Sequence, residues 1–170
     1  MNRLIALAPF AALIAGPALA QQVAATPPAS QIDRQFVTEA ASGGLAEVEQ
    51  ARMAEQKAQN DAVKSFARQM SADHSKANEQ LAAIASQEGL NPPRQPAAKE
   101  KAATERLSKL NGAAFDRTYA QEEVKDHKET IALFEKEAKS GQDPKLKAFA
   151  AETLPTLQRH LQLAQQIGAR

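Results

Sequence analysis

Residues 61–89 decide the fold of this 170-residue chain, and they read DAVKSFARQMSADHSKANEQLAAIASQEG. Apolar residues recur there at intervals of three or four, the spacing that brings side chains to one face of an α-helix. The series comprises Val63, Ala67, Met70, Ala77, Leu81 and Ile84, and His74 lies within it. Asp61 is typical of a helix N-cap, and Gly89 is typical of the residue that ends a helix. The segment therefore predicts a helix over about residues 62–88 with one apolar face.

The same pattern recurs in other segments, and short breaks join the long segments in pairs. It predicts helices over about residues 33–59, 97–110, 113–139 and 144–167. The breaks at residues 60–61 and 140–142 are so short that the helices on either side must fold back as antiparallel hairpins. A proline-rich linker at residues 91–96 precedes the short helix. We therefore predict an all-α four-helix bundle over residues 33–168, in which a long crossover with a short extra helix joins two hairpins.

Pro155 interrupts the last predicted helix. A proline inside a helix removes one backbone hydrogen bond and crowds the carbonyl group four residues earlier, which here belongs to Ala151. We expect Pro155 to kink or split the helix, at a cost of ~3 kcal/mol where nothing compensates.

The first twenty residues have the composition of a secretory signal peptide. Arg3 provides a basic start, residues 4–14 are apolar apart from one proline, and Ala18-Leu19-Ala20 forms a small-x-small cleavage site before Gln21. A bilayer span needs about 20 apolar residues, so this segment is too short to be one. We predict a disordered leader over residues 21–32 and a soluble, exported protein, periplasmic in a bacterium with two membranes.

Composition excludes several classes of function. The chain has no cysteine, which excludes disulfides and thiolate metal sites. Its 21 basic and 20 acidic residues provide no positive field for nucleic acid. No glycine-rich phosphate loop or nucleophile elbow is present, which disfavours an enzyme. A protein partner or a second copy of the chain remains open.

All three histidines of the chain lie on apolar faces, each in a different predicted long helix. Intervals of three or four residues separate each of these histidines (His74, His127 and His160) from apolar residues of its own helix. The same holds for Glu47 in the remaining long helix. Burying such a group without a partner costs about 2 kcal/mol or more. We therefore expect these four side chains to meet one another, a water molecule or a metal ion.

Position along the bundle axis decides which of the four can share a site. Counted from the breaks between helices, Glu47, His74 and His127 lie at nearly the same height, at 1.5 Å of rise per residue. His160 lies about five residues, or roughly 7 Å, from that level. The sequence thus predicts a trio with His160 as a candidate fourth member, whose position a kink at Pro155 could shift in either direction.

Two interpretations of these residues remain open. One is a metal site for zinc, copper, iron or manganese, with Glu47, His74, His127 and His160 as ligands and Asp73, Glu123 and Asp126 as neighbours. The other, which the sequence favours, is a hydrogen-bonded polar layer that fixes helix register without a ligand. A di-iron site is disfavoured because no histidine follows a glutamate by three residues. Glu122 and Glu123 are interpreted as part of a solvated face.

Several motifs resemble one known family over nearly all of residues 33–165. They are Phe36-Val37, Gly44-Leu45-Ala46-Glu47, Val63-Lys64-x-Phe66-Ala67-x-x-Met70-x-x-Asp73-His74-x-x-x-Asn78-x-x-Leu81, Gly112-Ala113-Ala114-Phe115-Asp116-x-x-Tyr119, Asp126-His127 and Leu154-Pro155-x-Leu157-x-x-His160-Leu161. In order and spacing they are similar to the bacterial exported family named domain of unknown function 4142. The resemblance implies a ferritin-like four-helix bundle and leaves the function open.

Two functions are therefore expected. The first is a non-catalytic, stress-associated protein of the cell envelope that contains a buried Glu/His polar layer. The alternative is a ferritin-like bundle that sequesters or senses a divalent metal ion.

Overall fold

The computed structural model describes residues 29–169 and confirms the predicted all-α bundle. The helices are α1 (Gln31–Lys57), α2 (Asp61–Gln87), α3 (Ala98–Ser108), α4 (Gly112–Ser140) and α5 (Pro144–Gly168). The predicted signal peptide and residues 21–28 of the predicted leader lie outside the described residues. At the other end of that leader, α1 already begins at Gln31.

Two antiparallel hairpins form the bundle. Helix α1 packs on α2, and α4 packs on α5. The hairpins then meet through contacts of α1 with α4 and of α2 with α5, while α3 lies in the crossover and packs mainly on α1. No helix of the described chain has the length and hydropathy needed to cross a bilayer.

Side chains at the helix ends explain where the helices begin. Ser30 and Asp33 form a reciprocal capping box at the start of α1. The N-cap of α2 is Asn60 rather than Asp61, as its side chain accepts from the backbone of Ala62 at 2.8 Å. The predicted cap at Asp61 is therefore wrong by one residue, since Asn and Asp serve equally well and the chain turns one residue earlier. Asp143 caps α5 as its spacing indicates.

Helix α5 runs unbroken through Pro155, so the predicted split does not occur. Proline removes one N–H donor, whereas the rest of this 25-residue helix keeps its register through extensive packing against α4. Continuity of α5 matters because His160 lies beyond the proline.

The apolar core consists of two clusters at different heights. One includes Phe36, Phe134 and Phe149, and the other includes Phe66 and Phe115. On each of the four long helices, the predicted inward residue lies between the positions that supply the two clusters; these residues are Glu47, His74, His127 and His160. The bundle thus contains one polar layer between two apolar ones.

A buried acid pair closes the end of the bundle at the α4–α5 turn. Asp33 of α1 accepts hydrogen bonds from the backbone of Gln142 at 2.8 Å and of Asp143 at 3.2 Å. Glu137 is fully buried beside it. Burial, together with the nearby carboxylates of Asp33 and Asp143, raises the pKa of Glu137 to about 8. Glu137 is therefore neutral at pH 7, and its O–H group can act as a hydrogen-bond donor towards Asp33.

We expect Glu137→Gln to raise the free energy of unfolding by about 1–3 kcal/mol at pH 8. In the unfolded chain this carboxyl releases its proton near pH 4.5, whereas in the folded protein it holds the proton up to about pH 8. Unfolding therefore releases a proton between these values, and wild-type stability falls as the pH rises through that window. Glutamine keeps the donor and cannot ionise. Denaturant unfolding at pH 5 and pH 8 measures the difference.

Glu135→Gln is the matched control, because Glu135 is exposed on the same helix. A stability difference between the Glu137→Gln protein and the wild type that stays constant from pH 5 to pH 8 would contradict this ionisation.

Candidate metal centre

The structure brings all three histidines together in the polar layer. His74 comes from α2, His127 from α4 and His160 from α5, and all are buried. Their ring centroids are separated by 5.6 Å (His74–His127), 5.4 Å (His74–His160) and 5.5 Å (His127–His160). The rings therefore form a nearly equilateral triangle inside the bundle.

One nitrogen of each ring is held by a hydrogen-bond acceptor outside the triangle. His74 Nδ1 donates to Glu47 Oε2 at 2.8 Å, and His160 Nε2 donates to Asp73 Oδ2 at 2.9 Å. His127 Nδ1 donates to the backbone carbonyl of Glu123 at 2.9 Å. Because a neutral imidazole has one donor and one acceptor nitrogen, these bonds determine which nitrogen of each ring can offer a lone pair when that ring is neutral.

The remaining nitrogens are His74 Nε2, His127 Nε2 and His160 Nδ1. Each is buried and has no hydrogen-bond partner within residues 29–169. One ring nitrogen of each histidine lies within 4.8 Å of one from each of the other two. A buried polar atom without a partner costs about 1–3 kcal/mol. Three such atoms in one place form a ready set of ligands.

The predicted offset of His160 is wrong. Its ring lies as close to those of His74 and His127 as they lie to each other. A count from the break between the helices includes residues of the α4–α5 turn as helical rise, although residues 141–143 are not helical. Counted from the helix ends, His127 lies 13 residues before Ser140 and His160 lies 16 after Pro144. Three residues of offset remain, and the ring distances show that the His160 side chain nevertheless reaches the other two.

Two carboxylates are buried next to the triangle. Glu47 of α1 lies beside His74, and its Oε1 is 3.7 Å from His127 Nδ1. Glu123 of α4 is also buried, and its Oε2 is 3.4 Å from His127 Nδ1. Glu47, Glu123 and His127 form a second set of potential ligand atoms within 4.8 Å of one another.

The solvated face predicted for Glu122 and Glu123 is wrong for Glu123. Its side chain is buried, whereas Val124 is only half-buried. The inward face of α4 is thus centred one residue earlier than the apolar pattern suggested.

The buried charges compensate one another without an ion. Burial opposes charge on His127, but its hydrogen bond to Glu123 and the charges of Glu47 and Glu123 raise its pKa to about 9. Burial likewise opposes charge on Glu47, yet the charge and hydrogen bond of His74 hold the pKa of that carboxyl well below its usual value. Burial lowers the pKa of His160 to about 4, which keeps that ring neutral.

The two predicted aspartate neighbours differ in their surroundings. Asp73 holds His160 and also lies 3.5 Å from Arg159. Asp126 is half-buried, and its Oδ1 is 3.7 Å from Lys125 Nζ. Asp126 forms no hydrogen bond with a histidine among the residues that the structure describes.

Tyr119 is a member of the site that the sequence analysis missed. It is fully buried, and burial followed by the nearby Glu123 raises its pKa well above the usual value. Tyr119, Glu123 and His127 are spaced four residues apart on α4. That spacing on one helical face was the available signal.

Comparison with known proteins supports the resemblance noted in the sequence. Residues 18–167 match the family model described as Domain of unknown function (DUF4142). The chain belongs to this family. No curated protein matches the chain.

A solved structure has the same fold. The crystal structure of a DUF305 fragment from Deinococcus radiodurans matches with a TM-score of 0.75 and 17% sequence identity, covering 85% of this chain and 99% of that one. At this identity the likeness concerns the fold alone. The ferritin-like grouping stays a prediction.

Proposed function

We propose that this DUF4142 protein binds one divalent transition-metal ion through His74 Nε2, His127 Nε2 and His160 Nδ1. The observation that carries the proposal is the close approach of three buried imidazole rings, each of which has one nitrogen without a partner in the described chain. A metal ion would satisfy all three at once. Three imidazole ligands with room for a fourth group are a known arrangement for zinc.

The hydrogen bonds behind the histidines support the same conclusion. Histidines that bind metals nearly always donate their second N–H to a carboxylate or a backbone carbonyl, which fixes the ring. Glu47, Asp73 and the Glu123 carbonyl accept these bonds here. A polar layer that needed only to fix helix register would not be expected to leave three buried ring nitrogens without a partner, since each costs about 1–3 kcal/mol.

The charge of the layer suits a divalent cation. Glu47 and Glu123 are the two fully enclosed carboxylates beside the histidines. Their two negative charges match one doubly charged ion once its binding has displaced the proton that His127 holds at neutral pH. A buried site of zero net charge avoids the large desolvation cost of an uncompensated ion.

The ligand type narrows the choice of metal. Imidazole suits zinc, copper, nickel and iron, whereas manganese prefers oxygen ligands. Among the divalent ions of the first row, copper(II) binds nitrogen sites most strongly, and zinc is among the stronger binders. We therefore assign zinc or copper(II) to the site.

The cellular role in this proposal is metal sequestration or sensing in the cell envelope, without catalysis. The signal-peptide composition of residues 1–20 supports export.

Elemental mass spectrometry tests the proposal. The purified protein is exposed to an equimolar mixture of first-row divalent ions and then desalted. We expect close to one zinc or copper ion per chain, and its loss in the His74→Ala/His127→Ala protein. Two ligands are removed in that variant, and one imidazole alone does not hold an ion against desalting.

The matched control is Glu105→Ala/Glu129→Ala, which removes two exposed carboxylates from the surface. This control should keep its metal. Failure of the wild type to retain any ion would overturn the proposal and leave a ligand-free polar layer. If the control lost as much metal as the histidine variant, the loss would not be specific to the histidines.

A further inference from the structure

A pocket leads from the surface of the bundle to the histidine triangle. All four long helices contribute to its lining. Glu47, His74 and His160 lie at its inner end, where each side chain is almost completely enclosed. Thr130 and Thr153, which are partly exposed, lie nearer to the surface. His127 does not line the pocket, so an ion held by all three rings is reached from the side of His74 and His160.

The pocket is small and largely apolar on its sides. The volume that the centres of water-sized molecules can occupy in it is about 40 Å³. Its walls include Leu81, Phe134, Phe149 and Leu157. One water needs roughly 10–15 Å³ on this measure, so the space admits a molecule of two or three heavy atoms.

Gly43 helps to keep this space open. A β-carbon added at Gly43 would have no atom within 4 Å, so no close contact in the described chain requires glycine there. Glycine inside a helix costs roughly 0.5–1 kcal/mol relative to alanine. The structural consequence of Gly43 is open volume in the pocket wall.

The charges around the pocket select against anions. Its lining includes the carboxylates of Glu39, Glu47 and Asp73 and, among the described residues, no lysine or arginine. A negative ligand would therefore pass the like charges of Asp73 and of the exposed Glu39, whereas the charge of Glu47 is balanced by the bound ion.

We propose that the pocket delivers a small neutral ligand to the fourth coordination position of the bound ion. This inference rests on the proposed metal site. The ligand class is a neutral molecule of up to three heavy atoms, such as water or a diatomic gas. The apolar walls favour such a molecule over a larger polar one, and the three histidines leave a four-coordinate ion with one position unfilled by the protein.

Cobalt(II) provides a test because its visible absorption bands report its ligands. The cobalt-loaded protein is titrated with nitric oxide, a neutral diatomic probe, and separately with azide, an anion of similar size. We expect nitric oxide to change the bands with an apparent Kd at least ~10-fold lower than that of azide, which corresponds to about 1.4 kcal/mol. Cobalt content per chain is measured in the same samples.

A pocket-filling variant provides the second readout. Ala77 lies in the pocket lining one turn after His74, so Ala77→Leu should fill the space while it keeps the three ligands. We expect unchanged cobalt content and at least ~10-fold weaker nitric oxide binding, again about 1.4 kcal/mol. Ala83→Leu, at an exposed position on the same helix, should behave like the wild type.

The outcomes separate the two proposals. Retained cobalt whose bands do not respond to nitric oxide would overturn the open position, and azide binding as tight as that of nitric oxide would overturn the selection for neutral ligands. Unchanged nitric oxide binding in a cobalt-loaded Ala77→Leu protein would overturn the route through this pocket. Absence of cobalt from the wild type would overturn the metal site and this inference with it. If Ala77→Leu does not fold, the comparison of nitric oxide with azide in the wild type still decides.

Discussion

Zinc at a hundredfold excess over its Kd should raise the free energy of unfolding by about 2.7 kcal/mol. An ion that binds the folded chain and not the unfolded one stabilises it by mass action, and the three histidines are brought together only by folding. For a bundle of this size the gain corresponds to an increase of roughly 5–10 °C in Tm. Calorimetry of the protein with and without zinc measures the shift.

His127→Ala should lose this stabilisation. The residue is fully buried and belongs to both sets of potential ligand atoms, so its removal leaves neither set complete. Glu129→Ala, exposed on the same helix, should keep the full zinc response. An equal rise in Tm for the His127→Ala protein would place the bound zinc elsewhere on the chain.

Phe36→Ala should reduce the free energy of unfolding by about 3–5 kcal/mol, the largest effect that we expect from a single substitution. Phe36 is 1% exposed, and its ring centroid lies 4.9 Å from that of Phe134 and 6.3 Å from that of Phe149. Truncation removes two edge contacts and leaves a cavity between α1, α4 and α5. Urea unfolding measures the loss.

The control for Phe36 is Leu45→Ala, at a half-buried position outside both apolar clusters. It should cost about 1 kcal/mol. Because Phe36 lies in the apolar layer and not in the polar one, the Phe36→Ala protein should still bind zinc at temperatures where it is folded. Loss of zinc binding from folded Phe36→Ala protein would mean that the two layers are coupled.

Local pattern predicted the helices well. The predicted ends agree with those of the structure to within two residues, because the apolar period and the break residues act within a few positions along the chain. Errors arose where two neighbouring residues were equally suited to one role, as with Asn60 and Asp61, either of which could be the N-cap of α2. The same kind of error placed Glu123 on a solvated face, although its side chain is buried on the inward face of α4.

The candidate site was only partly predictable. Inward placement of Glu47, His74, His127 and His160 follows from the period of each helix taken alone. The closeness of His160 to the other histidines does not, because it depends on the length of the α4–α5 turn and on helix tilt. Pro155 made that distance harder to predict, since its effect on α5 depends on packing with α4.

The sequence by itself determined four amphipathic helices in two hairpins and the inward placement of Glu47, His74, His127 and His160. Only the tertiary structure decided what those residues can do. The orientation of each imidazole depends on an acceptor that another helix or its own backbone supplies, namely Glu47, Asp73 and the Glu123 carbonyl. Periodicity specifies the direction in which a side chain leaves its own helix. It does not specify which ring nitrogen remains free, because that depends on contacts between residues far apart in the chain.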